Sequence, residues 1–420
     1  MIYTLKNAKI YANKKIEKKD ILIVDGKITK IDLDINEGKI IDCKNKLIAP
    51  AFIDPHVHSR EPGYEYKETI ATVTKAAAKG GYTKIFLMPN LNPVPSNLRD
   101  LNLILNIIKK DALIDCYQLA SITKNQTGKG ELSDIEFMAP YVVGFSDDGK
   151  GIDDSKMMYE AMLKAKKYKK AIIAHAEDET LLYGGVIHKG KYSEEKNLPG
   201  ILSASETVQV ARDLVLAELT KVHYHLCHVS AKETLDLVKY YKDRDVNVTV
   251  EATPHHIMLN EDDLKDNGVY KVNPPLRSKE DQKAIVEAIK NGLIDMIATD
   301  HAPHSEEEKS KGLLNSSFGM VGIEISFSLL YTYLVKQNKV SLEKLLDMMS
   351  INISKAFEIE NNEIIIGNMA NLVIIDLDKE FIIDKNKFVS KGKNTPFNGY
   401  KCFGQIIMTI SKGEIIYELQ

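Results

Sequence analysis

The sequence predicts an α/β protein, a (β/α)8 TIM barrel with a small β-sandwich formed by both chain ends. Three observations predict it. Between residues 49 and 361, strand-like and helix-like patterns alternate eight times, as parallel strands joined by helical crossovers do. The two termini instead carry short alternating runs around tight turns, and neither end can bury both faces of a sheet alone. Residues able to bind metals or move protons recur just past the apolar runs of the middle section, where a barrel gathers its active site.

The totals agree with this plan. A chain of 420 residues has room for one barrel and a smaller appendage, here residues 1–48 and 362–420 as a composite sandwich and 49–361 as the catalytic barrel. A hydrophobic content of 44% and a charged content of 27% describe an ordinary globular protein. The net charge of −3 points away from nucleic acid or an anionic membrane as partner. No apolar stretch approaches the ~20 residues that span a bilayer. Met1 to Leu5 leads straight into a strand pattern with no leader, and the four cysteines form no CxxC pair, so a reducing cytoplasm is expected.

In chain order, Asp25-Gly26 sits between Ile21–Val24 and Lys27–Ile31, a hairpin signal. The run from Leu47 to Ile53 is long enough for one buried strand and feeds into His56-Val57-His58. The expected barrel strands then end in Asp54–His58, Ile85–Asn90, Tyr117–Ser121, Val142–Asp148, Ile172–Glu177, Tyr224–His228, Val248–Ala252 and Met296–Asp300. Amphipathic stretches such as Glu68–Lys79, Ser155–Lys169, Ala204–Leu219, Ala231–Tyr241 and Glu280–Lys290 lie between them. Two further helices are expected over Ile323–Val335 and Leu342–Phe357. Leu372–Asp376, Ile406–Ile410 and Glu414–Tyr417 then return the chain to the sandwich.

The chemistry begins with His56 and His58. Side chains alternate along a strand, so an HxH pair can offer two nitrogens to one divalent ion. Later strand ends add Asp147-Asp148-Gly149, His175, the trio His223, His225 and His228, and Asp300-His301 with His304. Each has a bland alternative. Asp147 is expected to cap the next helix, a lone His in a buried run is usually a satisfied core residue, and alternation separates His223 and His225 from His228. Their recurrence at five strand ends is what favours a metal site. Arginine is scarce beside lysine, which singles out Arg60 and Arg277.

The segments FIDPHVHSREPG, MPNLNP, FSDDGKG, AHAED, CHVSAKET, EATPHH, VNPPLR, ATDHAPH and SSFGM resemble those of dihydroorotases of the bacterial long-chain type, in the amidohydrolase superfamily. The resemblance covers nearly the whole chain in the family's order. It implies two Zn2+ per chain, with His56 and His58 on one metal, His175 and His228 on the other, and Asp148 bridging both. Lys150 is the alternative bridge, since many relatives use a carboxylated lysine. The same resemblance makes Asp300 a metal ligand and the general acid/base, acting beside a metal-bridging hydroxide. It places His58, Ser59, Arg60, Asn90, Asn273, His304 and the backbone at Phe318-Gly319 against substrate, although Ser59 stands where leucine is commoner. His255 and His256 are left structural. The implied reaction interconverts N-carbamoyl-L-aspartate and (S)-dihydroorotate in pyrimidine synthesis.

As partners the resemblance implies the small-molecule substrate, and it leaves room for a homodimer and for contact with aspartate carbamoyltransferase. Dihydropyrimidinase, hydantoinase and allantoinase share the HxH, the later His ligands and the final Asp, so the metal positions alone do not separate them. A non-catalytic relative serving as a partner of aspartate carbamoyltransferase should have lost ligands, whereas all six positions here hold competent residues.

Overall fold

In the computed structural model, which describes residues 1–419, eight short parallel strands run Phe52–Val57, Tyr82–Leu87, Asp115–Gln118, Gly144–Phe145, Ala171–Ala174, Tyr224–Leu226, Val248–Ala252 and Met296–Ile297. The first three form one ladder and the last five another. Parallel bridges at Ala120–Phe145 and Val57–His301 join the two ladders into a closed barrel. Most of its strands are buried on both faces, which is why they read as apolar runs, while Asp115–Gln118 is only partly buried. Helices Ile70–Lys79, Leu98–Asp111, Ser155–Lys167, Ala204–Thr220, Lys232–Lys242 and Lys279–Lys290 cover the outside. Several start on side-chain caps. Ser278 and Asp281 form a reciprocal capping box, and Asp154, not Asp147, caps Ser155–Lys167.

The terminal sheet has eight strands, drawn from both ends of the chain. Leu47–Pro50 is its junction: it pairs parallel with Ile2–Ala12 and antiparallel with Leu372–Ile382. The run from Leu47 to Ile53 is therefore two strands, not the one expected. Pro50 has no N–H to continue a ladder, and Ala51 crosses from one sheet to the other with its N–H on Asn371 O at 3.0 Å. Leu5, Ile10, Ile21, Ile23, Ile48 and Ile374 are among the apolar residues buried in the core of this domain. Among the described residues, no helix is long and apolar enough to cross a membrane.

The two late helices also differ from expectation. Residues 323–335 give a short α-helix, Ser326–Leu330, that widens into a π-turn over Tyr331–Val335. Residues 342–357 split into Leu342–Met348 and Ile351–Ala356. The break is at Ser350, whose hydroxyl donates to Ala51 O at 2.8 Å and ties this corner to the crossing between sheets.

Barrel and terminal sheet meet at Phe52. Its ring stacks on Phe327 with centroids 5.3 Å apart and meets Tyr82 edge-on at 5.5 Å. Gly81 lies beneath with φ +91°, and a Cβ there would come within 2.8 Å of Val373 and 3.0 Å of Phe52, so only glycine fits. Phe52→Ala would leave a cavity at this junction and should lower stability by about 3–5 kcal/mol. Urea titration followed by far-UV circular dichroism is the suitable probe, because the chain has no tryptophan. A midpoint unchanged from wild type would show that the junction contributes little.

Candidate metal centre

The first barrel strand ends at Val57, so His56 points into the barrel from the strand while His58 follows it, its N–H on His301 O at 3.0 Å. The sixth and eighth strands end at Leu226 and Ile297. Beyond them, His228 and Asp300 take left-handed backbone angles, φ +31° and +45°. Few non-glycine residues adopt such angles, and His and Asp tolerate them better than most. The turns aim both side chains at the barrel axis. Alternation therefore does not reach His228, whose separation from His223 and His225 has another cause: those two lie on or before the strand and face the interior below.

Six side chains converge at the mouth. His56 Nε2 lies 3.3 Å from Asp148 Oδ1 and 3.5 Å from Asp300 Oδ1. His58 Nε2 lies 3.0 Å from Asp300 Oδ1 and 3.5 Å from Asp148 Oδ2. On the far side His175 Nδ1 faces His228 Nε2 at 3.0 Å, with Asp148 Oδ1 at 3.7 Å and 3.6 Å from those nitrogens. Asp148 thus stands between two pairs of imidazoles. His56 Nε2 and Asp148 Oδ1 are buried with no hydrogen-bond partner among the described residues. Donor atoms of His56, His58 and Asp300 lie within 4.8 Å of one another, as do those of His56, Asp148 and His228. Imidazole nitrogens and carboxylate oxygens crowded together, two of them buried without partners, are what divalent zinc-like ions bind. The residues fit such ions.

The atoms behind these ligands fix which nitrogen faces the centre. Glu251 has no solvent exposure. It accepts from His56 Nδ1 at 2.7 Å, His225 Nε2 at 3.0 Å and the His228 backbone N–H at 3.1 Å. Burial alone would raise its pKa, but His56 and His225 outweigh burial and hold it at about 2. An ionised carboxylate only accepts, so the His56 proton sits on Nδ1 and Nε2 is left for a metal. Below, His225 Nδ1 and His223 Nε2 both meet Thr249 Oγ1, at 2.8 and 2.7 Å. Asn90 Oδ1 does for His58 what Glu251 does for His56, at 2.9 Å from Nδ1. Glu177 lies 3.5 Å from His175 Nε2 and accepts from Asn273 Nδ2 at 2.8 Å.

Glu251, Thr249 and Glu177 were not among the expected site residues, and His225 was set apart from the ligands by alternation. One signal was available for Glu251: a carboxylate inside the apolar strand Val248–Ala252 is rarely buried without a partner.

Above the centre is a cavity of about 200 Å3 lined by His58, Arg60, Asn90, Asp148, His175, His228, Asn273, Asp300, His304, Phe318 and Gly319, among others. Arg60 is buried and reaches it through a left-handed turn, φ +62°, not through strand alternation. Its Nε donates to Pro303 O at 3.2 Å and its Nη2 to His304 Nε2 at 3.3 Å, and none of its nitrogens pairs with a carboxylate among the described residues. His304 Nδ1 faces Glu308 at 3.2 Å, and burial together with the Arg60 and Lys67 cations keeps the ring neutral. Gly319 presents bare backbone at φ +139°, where a Cβ would come within 2.8 Å of Ala302 O.

Other expected residues lie elsewhere. Ser59 is buried off the cavity, its hydroxyl without a partner among the described residues. Lys150 points outward and pairs with Glu179 at 2.8 Å. Asp147 is not a helix cap: it accepts from the N–H groups of Ile122, Thr123 and Gly128 at 2.7, 3.0 and 3.1 Å, organising that loop. Arg277 is buried against Ser230 and Ile201 O. His256 is satisfied by Thr253 and Pro274 O, and His301 turns to Ser390 at 3.2 Å.

Comparison with known proteins follows this geometry. A family model described as dihydro-orotase-like matches residues 45–234. The chain is 50% identical over 416 residues to a dihydroorotase of Fusobacterium nucleatum, covering 98% of each chain. It is 45% identical over 420 residues to a dihydroorotase of Staphylococcus aureus, covering 99% of each. Among solved structures, an L-hydantoinase (dihydropyrimidinase) from Arthrobacter aurescens superposes with a TM-score of 0.89 at 24% identity, covering 100% of this chain and 96% of that one. A D-hydantoinase superposes with a TM-score of 0.87 at 23% identity, covering 100% and 95%. These likenesses establish the fold: a barrel with a terminal sandwich.

The hydrogen bond behind His56 generates a test. Glu251→Gln keeps the shape but removes the charge and one of two accepting oxygens, so divalent-metal affinity should fall about 10- to 100-fold. Competition against a chromophoric chelator reads this directly. Affinity within twofold of wild type would mean that Glu251 does not set the metal-binding form of His56.

Proposed function

The chain belongs to the dihydroorotase family, cyclic amidohydrolases of pyrimidine biosynthesis, and we propose that it interconverts N-carbamoyl-L-aspartate and (S)-dihydroorotate at a centre of two zinc ions. The observation that carries the substrate assignment is Arg60. It is a buried guanidinium without a carboxylate partner among the described residues, on the cavity wall that the metal-site residues also line. A buried cation is costly without an anion, and dihydroorotate brings one on its ring. Guanidinium and carboxylate match in two parallel hydrogen bonds. Neutral His304, its Nε2 accepting from Arg60, holds the guanidinium in place and leaves other N–H groups for the substrate.

His56, His58 and Asp300 would hold one ion and His175 and His228 the other, with Asp148 shared between them. The bridging role is supported by Asp148 Oδ1, which lies between His56 Nε2 at 3.3 Å and His175 Nδ1 and His228 Nε2 at 3.7 and 3.6 Å, and by the outward ion pair of Lys150. Bound divalent ions lower the pKa of water and polarise a carbonyl as Lewis acids. The chain's own groups do the rest. Arg60 seats the ring carboxylate, while Asn273 and the backbone of Phe318-Gly319 face the ring. In ring opening a C–O bond forms at the ring carbonyl carbon and the C–N bond breaks. Asp300 takes one proton from the attacking water and delivers it to the departing nitrogen, base first and acid second. The other water proton leaves as the new carboxyl group ionises. Burial opposes the charge on Asp300, but the contact with His58 and the nearby His56 outweigh it, so the carboxyl lies below its usual range and is ionised.

Two measurements test the reading. Elemental analysis should find close to two divalent ions per chain, and His175→Ala should lower that content and abolish turnover. One ion in fully active protein would sink the two-metal centre. Arg60→Met should cut kcat/KM for dihydroorotate about 10- to 100-fold, since the substrate carboxylate loses its charged partner, while both ions stay bound. Residual turnover of neutral dihydrouracil should change little. Equal losses on both substrates at full metal content would remove Arg60, and with it the main physical case for dihydroorotate.

A further inference from the structure

Lys309 lies at the end of the short helix Glu306–Lys309, capped by Ser305, and only 5% of the residue is exposed. A lysine usually buries its stem and leaves its ammonium in water. Here the head is inside. Nζ donates to Ser317 O at 2.7 Å, Gly319 O at 2.9 Å and Lys271 O at 3.1 Å, and no carboxylate pairs with it among the described residues. Only a protonated amine has three N–H groups, and all three are used on backbone carbonyls.

Those carbonyls belong to two segments of irregular backbone. Lys271 O comes two residues before Asn273, and Ser317 O and Gly319 O flank Phe318. Gly319 N–H also donates to Lys271 O at 2.9 Å, so the segments touch directly at one further point. The Lys271 ammonium lies 4.6 Å from the centre of the Phe318 ring and adds a second, weaker tie between the same two stretches. Neither segment carries a ladder across this contact. Without the ammonium, Ser317 O would lose its donor, Lys271 O would keep only the Gly319 N–H and Gly319 O only Asn394 Nδ2 at 3.1 Å, and the three carbonyls would no longer share one partner.

We propose that Lys309 is a positioning residue that clamps the 271–273 and 317–319 segments together, so that Asn273 and the backbone of Phe318-Gly319 meet the substrate ring in register. The inference rests on the reading above, in which those three residues are ring contacts. It assigns Lys309 no contact with substrate or metal. It also explains why a cation is buried there: methionine would fill the same volume but give three carbonyls no donor. A fixed point charge with three donors holds carbonyls arriving from three directions, whereas the planar fork of an arginine suits two acceptors side by side.

The test is Lys309→Met in the metal-loaded full chain, read on two ligands. KM for dihydroorotate should rise roughly 10- to 100-fold, as expected when buried acceptors lose a charged donor, with kcat falling less than threefold. Binding of acetohydroxamate, which reaches the metals without using the rim segments, should stay within twofold of wild type, as should the metal content. A purely structural role would move all of these together with the melting temperature. Lys309→Gln keeps two N–H groups and should give an intermediate KM, and it replaces the methionine variant if that one does not fold. Dihydroorotate KM within twofold of wild type in either folded variant would overturn the proposal. So would parallel losses of acetohydroxamate binding and metal. Wild-type protein that turns over dihydrouracil but not dihydroorotate would instead sink the substrate reading and leave the clamp to be read by KM for dihydrouracil.

Discussion

A carboxylate with no access to water sits near the centre of a parallel barrel, and much of the site rests on it. Burying a charge there is expensive unless donors surround it. Glu251 has three, one from His56 on the first strand and two from the sixth, His225 on the strand and the His228 backbone just past it. His56 is fixed in its metal-binding form from below, the His228 turn is fastened by its own backbone, and His225 is held with its proton toward the carboxylate. Barrel closure is the precondition. Glu251 reaches His56 because the Val57–His301 bridge brings the first strand round beside the eighth.

The same barrel sorts charge by height. Acceptors crowd the lower layer, where Asp148, Asp300 and four imidazoles face one another. Donors occupy the rim, where Arg60 and Lys309 are buried without carboxylate partners among the described residues. The two layers are complementary to the two ends of one small molecule, a polar amide below and an anion above. Asn90 spans them. It orders His58 with its oxygen and approaches Asp148 with its nitrogen at 3.5 Å, while lining the cavity itself.

Much of this was legible in the sequence, for a physical reason. Parallel strands bury both faces, so most of the eight announce themselves as apolar runs, Asp115–Gln118 being an exception, and polar residues just past such runs fall at the barrel mouth. That logic finds His56, His175 and Asp300. It fails where a rule of regular structure stops applying. Alternation separates His228 from His225, but the strand ends at Leu226 and a left-handed turn resets the direction. The apolar run at Leu47–Ile53 hides a change of sheet, because hydrophobicity does not record which sheet a strand joins. Ser350 breaks a helical pattern through a hydrogen bond to Ala51, 299 positions away in sequence. Glu251 and Glu177 matter through what they touch, and contact across strands leaves no mark in spacing.

The junction at Leu47–Pro50 also bears on how the chain is made. That strand lies between one segment already synthesised and another at the far end, Leu372–Ile382. At ribosomal speeds of about 5–20 residues per second, the roughly 320 residues between them take on the order of 20–60 s to emerge. Through that interval Leu47 and Ile48 lack one neighbour, and the edge that Leu372–Ile382 will cover stands open to other strands. The barrel can close while its companion sheet waits. The last part of the molecule to become native therefore includes some of the first residues translated, and the period of greatest exposure to misassembly is set by the length of the catalytic insert, not by the sheet's own sequence.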